Sequence, residues 1–249
     1  MTLPPVFVLP GLLEDAAAFH AVINGLADVA PVRVADLTNS DSIPALARDA
    51  LEQMPPGPVA LAGHSMGGYV ALEILRQAPE RVARVAFLNT HARPDSPEST
   101  ENRRRLLALA QHDFQAVINT LLPKLMTAEH VKQSALAGIV TTMALAVGKE
   151  AFARQQNAII GRVDSRPHLA AIRCPALVVA GREDQLMPLE WLEELARGIR
   201  GARLVVLEGC GHMAPIEKPR EVIAAMREWL TGRSEPMPEF PVEAPPPAS

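Results

Sequence analysis

Six short apolar runs, separated by longer segments with helical periodicity, constrain what this chain can fold into. They cover residues 6–9, 32–35, 59–62, 82–88, 176–180 and 204–207. Most of them lack polar alternation, a pattern that fits strands buried on both faces. Helical patterns at 16–26, 43–53, 66–77, 190–199 and 220–230 fall between or after them. Pro215 and Pro219 ahead of the last helix, and Gly232 after it, are start and stop signals. Strands alternating with helices in this way predict an α/β fold, a mostly parallel sheet with crossover helices on both faces.

The rhythm breaks between Arg93 and about Ala171, where no strand is evident. Helical patterns at 102–111, 114–122, 135–147 and 150–160 occupy the gap. They could simply complete the core. An insertion beyond the carboxyl ends of parallel strands, where ligands bind, is instead the position of a helical cap. The expected organisation is a core of residues 1–92 and 172–233, a cap of residues 93–171, and a tail from 234 to 249. The tail is rich in Pro and Glu and ends Pro245-Pro246-Pro247-Ala248-Ser249, so it is expected to be extended or disordered.

Composition narrows the function classes. With a formal net charge of -4, the chain offers no electrostatic footprint for nucleic acid. Its one dense basic run, Arg103-Arg104-Arg105, reads as a solvated helix face. The N-terminus has no Lys or Arg before Arg33, and no apolar run approaches bilayer length. Cys174 and Cys210 are too few for a disulfide framework. A cytoplasmic protein without a membrane partner is the expectation, and the sequence fixes no oligomeric state.

The third apolar run leads directly into Gly63-His64-Ser65-Met66-Gly67-Gly68 and then into a helical pattern. Strand, G-x-S-x-G and helix in succession are the context of a nucleophile elbow. The sharp turn strains the serine backbone and lifts its hydroxyl above the sheet. Glycines two residues to either side avoid collisions with neighbouring backbone. The motif by itself is unspecific, since Gly/Ser turns are common. His64 is adjacent to Ser65, but neighbouring residues on such a turn point apart, so a structural role is expected for it.

A serine hydroxyl needs a base, and the base needs an orienting group. Asp184 follows the fifth run in Gly181-Arg182-Glu183-Asp184-Gln185-Leu186-Met187-Pro188. His212 follows the sixth in Glu208-Gly209-Cys210-Gly211-His212. Glu183 is a competing carboxylate, and the motif register favours Asp184. Three ordered matches, Gly-x-Ser-x-Gly-Gly, Gly-x-x-Asp-x-x-x-Pro and Gly-x-Gly-His-x-x-x-x-Glu-x-Pro, are far more specific than one. On these motifs the chain resembles a capped serine hydrolase of the α/β-hydrolase superfamily, carboxylesterase-like, from about Pro5 to Leu230.

The resemblance implies Ser65, Asp184 and His212 as catalytic residues, in the Ser, Asp, His order of that fold. An oxyanion hole would take one backbone N–H from Met66 and one from the loop after the first strand. Family members often carry His-Gly in that loop, whereas this chain has Pro10-Gly11; Leu12 is the expected donor, with Leu13 as its neighbour. Cys210 reads as a small buried residue.

Ser65 in place of an elbow Asp points to acyl transfer rather than dehalogenase-like chemistry. The seven histidines show no metal-ligand spacing, and no metal or cofactor is implied. Gly209-x-Gly211-x-x-Ala214 fits a loose dinucleotide form, but Pro215 and the absence of a following βαβ unit argue against it. The first reading is hydrolysis of a small ester or lactone. A carbon–carbon bond hydrolase or lyase on the same residues is second, and a low-turnover ligand receptor is third. His91, Asp164 and Arg154 could face a pocket, with surface or interhelical roles as alternatives. Leu106, Leu107, Leu121, Leu122, Met143 and Ile159 suggest an apolar substrate group, although any packed helical layer would contain such residues.

Overall fold

The computed structural model describes residues 3–232, so the Pro-rich tail lies outside the described residues. Six strands form one sheet in the order β2-β1-β3-β4-β5-β6. They are β1 (Val6–Leu9), β2 (Val32–Val34), β3 (Val59–His64), β4 (Val82–Leu88), β5 (Ala176–Gly181) and β6 (Arg203–Leu207). Every neighbouring pair is parallel. The six apolar runs therefore match the strands, with differences of one or two residues at their ends.

The unbroken apolar character has a direct cause. Successive side chains alternate between two buried layers. Phe7, Leu9, Leu61, Val85, Phe87 and Val178 enter one layer, and Val6, Val8, Ala60, Ala86, Leu88 and Leu177 enter the other. Among the helices, α1 (His20–Leu26), α2 (Ile43–Gln53) and α3 (Met66–Gln77) come before β4 in the chain. The first layer contains Leu46 of α2 and Val70 of α3. The second contains Val22 of α1.

Four helices lie between β4 and β5 in the chain: α4 (Pro97–His112), α5 (Phe114–Leu125), α6 (Ala128–Val131) and α7 (Ser134–Ile160). Side chains supply their starts, with Ser96, Asp113 and Thr127 accepting from the first-turn N–H groups of α4, α5 and α6. Within α7, Gly148 adopts φ 84° and ψ 166°, a break that divides it close to the gap between the two sequence patterns. By length and composition α7 could cross a membrane. The apolar run itself stops short of bilayer length, as expected, because Lys149 and Glu150 interrupt it next to the Gly148 break. The second half of α7 carries the buried Gln155 and Gln156.

The chain then adds α8 (Leu189–Gly198) between β5 and β6, followed by α9 (Ala214–Glu217) and α10 (Pro219–Thr231). Leu192 of α8 joins the first layer, and Met226 and Leu230 of α10 join the second.

Strand order decides where a site can form. From β1 the chain turns to one side for β2 and returns to the other side for β3, so loops after β1 and β3 diverge. Such a switch point leaves a crevice at the carboxyl ends of the strands. The β3 loop sits very close to its neighbours there. A methyl group on Gly67 would overlap the Leu9 carbonyl, and one on Gly63 would lie 2.5 Å from the Gly67 carbonyl oxygen. Both obstacles are backbone and cannot rotate away. Gly67→Ala is expected to cost about 3 kcal/mol or more of folding stability, read as a lower urea midpoint with an unchanged slope.

Candidate active site

Ser65 stands between β3 and α3 with φ 50° and ψ -116°, a strained region for a residue with a Cβ. Backbone bonds hold it there. Its N–H donates to the Leu88 carbonyl at 3.0 Å, and its carbonyl accepts from Thr90 Oγ1 at 2.8 Å and Gly68 N–H at 3.0 Å. The Thr90 side chain fills the space that a Cβ on Gly68 would need.

The structure brings the three motif residues together. Ser65 Oγ lies 2.8 Å from His212 Nε2, and His212 Nδ1 lies 2.8 Å from Asp184 Oδ2. Because Asp184 is acceptor-only when ionised, Nδ1 carries the proton and Nε2 is free to accept from Ser65. Burial pushes the Asp184 carboxyl up. The attraction of His212 in its protonated form, with hydrogen bonds from His212, Asn89 and Leu186, outweighs burial and holds it below the usual value. Glu183 is used elsewhere: it accepts from Gly209 N–H and Cys210 N–H at 3.2 and 2.8 Å, fixing the loop that carries His212. Glu217, the Glu of the third motif, is buried and accepts from Gly211 N–H and Met213 N–H at 3.0 and 3.2 Å. Cys210 is fully buried, and burial pushes its thiol well up.

The loop after β1 distinguishes the two candidate donors. Leu13 N–H already donates to Gln155 Oε1 at 3.0 Å, while Leu12 N–H meets no acceptor among the described residues. Met66 begins α3, where N–H groups lack helical partners.

Several residues escaped the sequence reading. Asn89 (φ 46°) donates from Nδ2 to Asp184 Oδ2 at 3.0 Å and to the Gly211 carbonyl at 3.1 Å. No motif marks it; its position directly after β4 is the one available hint. Glu14 and His64 form a buried pair at 2.8 Å. His64 Nε2 lies 2.9 Å from the His212 carbonyl, and Glu14 accepts from Gly11 N–H at 2.8 Å. With a carbonyl at one nitrogen and a carboxylate at the other, His64 is a double donor. Burial works against its charged form, but the Glu14 charge and both hydrogen bonds prevail and raise its pKa. Both His64 nitrogens are thus engaged, by Glu14 and by the His212 carbonyl, and neither is left to act on Ser65.

A cavity of roughly 550 Å³ is lined by Ser65 and His212 and extends beneath the helical insertion. Leu106, Leu121, Met143 and Ile159 line it, whereas Leu107 and Leu122 do not. His91 also lines it. Its Nδ1 accepts from Arg93 N–H at 3.0 Å, so Nε2 holds the proton and faces Tyr69 Oη at 3.2 Å. Asp164 instead pairs with Arg166, and Arg154 donates to the Thr38 carbonyl; neither lines this cavity.

These features can now be compared with known proteins. A family model described as the alpha/beta hydrolase fold matches residues 4–219. The chain belongs to the α/β-hydrolase family. Its structure is similar to that of a thermophilic esterase from Thermogutta terrifontis, with a TM-score of 0.85, 30% identity, and coverage of 93% of this chain and 90% of that one. It is also similar to the enol-lactonase from Burkholderia xenovorans LB400, with a TM-score of 0.83, 27% identity and 92% of each chain covered. The biotin biosynthesis bifunctional protein BioHC of Cellvibrio japonicus is 24% identical over 244 residues, 92% of this chain. This α/β-hydrolase spans 48% of that relative's length.

Burial, then the charges of Arg162, Arg93 and Arg103, push the His91 imidazole down to about 3. A histidine lower in the folded than in the unfolded chain contributes stability above its unfolded pKa, and loses it as pH falls through the folded value. Between pH 6.5 and about 3, His91 is therefore expected to remove up to about 1.4 kcal/mol of stability per pH unit. Urea midpoints for wild type and His91→Gln should converge as pH falls through that window. Parallel curves would contradict the assignment.

Proposed function

We propose that this α/β-hydrolase is a serine hydrolase that cleaves a small carboxylic ester or lactone through an acyl-enzyme. The observation that carries the reading is the unbroken relay from Asp184 through His212 to Ser65, 2.8 Å at each step, beside a cavity that Ser65 and His212 both line. The similarity to proteins described as an esterase and an enol-lactonase supports the same bond class.

In this mechanism His212 Nε2 takes the Ser65 proton as Oγ attacks the carbonyl carbon. Asp184 holds the imidazole in the required tautomer and stabilises its positive charge. The carbonyl oxygen becomes an oxyanion, which the Leu12 and Met66 N–H groups receive. Collapse of the tetrahedral adduct breaks the bond to the leaving alcohol, and His212 returns its proton to that oxygen. For a lactone, the alcohol remains tethered to the acyl chain. Water, deprotonated by His212, then attacks the acyl-enzyme and releases the acid with Ser65 restored. The helices α4–α7 act as a cap that encloses the acyl or alkyl group against Leu106, Leu121 and Met143.

A fluorophosphonate probe should form one adduct, on Ser65, and Ser65→Ala should abolish it. With p-nitrophenyl esters, Ser65→Ala should lower kcat by about 10⁴-fold or more. Absence of an adduct on folded wild-type protein would refute the nucleophile. Labelling without ester turnover would favour carbon–carbon cleavage or a receptor role.

A further inference from the structure

The cavity has an unequal distribution of charge. Four guanidinium groups, Arg93, Arg103, Arg162 and Arg166, line part of its wall. Three carboxylates meet them. Asp95 is shared by Arg103 at 3.2 Å and Arg162 at 2.6 Å. Glu194 is shared by Arg93 at 2.7 Å and Arg166 at 3.6 Å, and Asp164 pairs with Arg166 at 2.6 Å. Four positive charges against three negative ones leave an unneutralised charge on this wall.

One part of this network is held out of water, while Arg93 and Arg166 stay 35% and 41% exposed. The Arg162 side chain is 6% exposed and Asp95 2%. Arg162 is fixed by the Ile159 and Arg93 carbonyls and lies 4.5 Å over the Tyr69 ring. The depressed His91 imidazole responds to the same arginines.

Gln156, on the second half of α7, adds a second and independent feature. It is fully buried and lines the cavity. Its Oε1 accepts from Arg103 Nη1 at 2.9 Å, which fixes the orientation of the amide and identifies Nε2 as its unengaged end. Nε2 has no hydrogen-bond partner. A buried donor left unpaired forfeits its bond to water without replacement, so it calls for an acceptor. The neighbouring Gln155 shows the contrast, since its Oε1 and Nε2 are both engaged, by Leu13 N–H and the Leu37 carbonyl.

We propose that Gln156 and Arg103 form a carboxylate-recognition subsite, so that the ester or lactone cleaved at Ser65 carries a second, ionised carboxyl group. One carboxylate oxygen accepts from Gln156 Nε2, and the Arg103 guanidinium beside it supplies the charge-assisted bond. The net positive charge on the wall is then neutralised by substrate, and the apolar cap residues cover the chain between the two carboxyl groups. The subsite selects substrate through binding and takes no part in proton transfer. It rests on the ester-hydrolase reading of Ser65.

The test compares mono-p-nitrophenyl adipate with p-nitrophenyl hexanoate, matched in chain length, and 4-acetoxybenzoate with phenyl acetate. The two pairs place the carboxylate on the acyl and the alcohol side respectively. In at least one pair, wild-type kcat/KM should favour the carboxylated ester by ten-fold or more. Gln156→Leu should reduce that ratio by about ten-fold, mostly through KM, and Gln156→Glu should reduce it further by repulsion. Adipate should inhibit hydrolysis of the neutral ester more strongly than adipamide does. Neutral esters preferred in both pairs, with adipate no better than adipamide, would overturn the subsite and leave ordered water as the partner of Nε2. If no ester is turned over and Ser65 takes no fluorophosphonate, the hydrolase reading fails separately. The subsite is then read from the thermal midpoint: an adipate-induced rise lost in Gln156→Leu supports it, and no rise in wild type overturns it.

Discussion

A buried ion pair, Glu14 with His64, sits where three loops of this protein meet. Glu14 belongs to the loop after β1 and accepts from Gly11 N–H within that loop. His64 ends β3 directly before the nucleophile candidate, and its other nitrogen donates to the carbonyl of His212 itself. One carboxylate and one imidazole thus tie the proposed oxyanion loop, the nucleophile elbow and the histidine loop into a single unit. Charges this deep are costly to bury, and removing one partner of such a pair typically costs about 3–5 kcal/mol. The pair makes physical sense here because every donor and acceptor on it has a fixed task.

Strain gathers at the same place. Leu13, Ser65 and Asn89 are the three non-glycine residues with positive φ among the described residues, and they follow β1, β3 and β4. Each is held by specific bonds: Leu13 by Gln155, Ser65 by Leu88 and Thr90, Asn89 by a backbone bond to Val179. Residues in such conformations cost about 1–3 kcal/mol each and persist only where the surroundings dictate them. The sheet supplies those surroundings. Its two packed layers hold the strand ends rigid, so the loops can be strained without the fold relaxing.

The helical insertion contributes chemistry as well as enclosure. Its apolar residues line the cavity, and so do Arg103 and Gln156. Gln155 and Gln156, adjacent on α7, turn to different tasks: one anchors the loop after β1, the other faces the cavity. Movement of this half of α7 would therefore reach the loop after β1 and the cavity wall together.

The sequence by itself determined the sheet and the identity of the relay residues. Strand positions were legible because a parallel sheet covered on both faces demands unbroken apolar runs, and few other structures do. Ser65, Asp184 and His212 were legible because each needs a glycine-bearing turn after a strand, which leaves a local signature. Tertiary structure alone decided the rest. That Glu183 holds backbone while Asp184 holds the imidazole depends on how β5 and β6 lie side by side. That the Leu13 N–H is already engaged depends on a glutamine 142 positions away in the chain. Asn89, Glu14, Arg103 and Gln156 carry no local pattern, because their partners come from distant segments. Short-range sterics write a turn into the sequence; a hydrogen bond between two remote side chains exists only once the fold has brought them together.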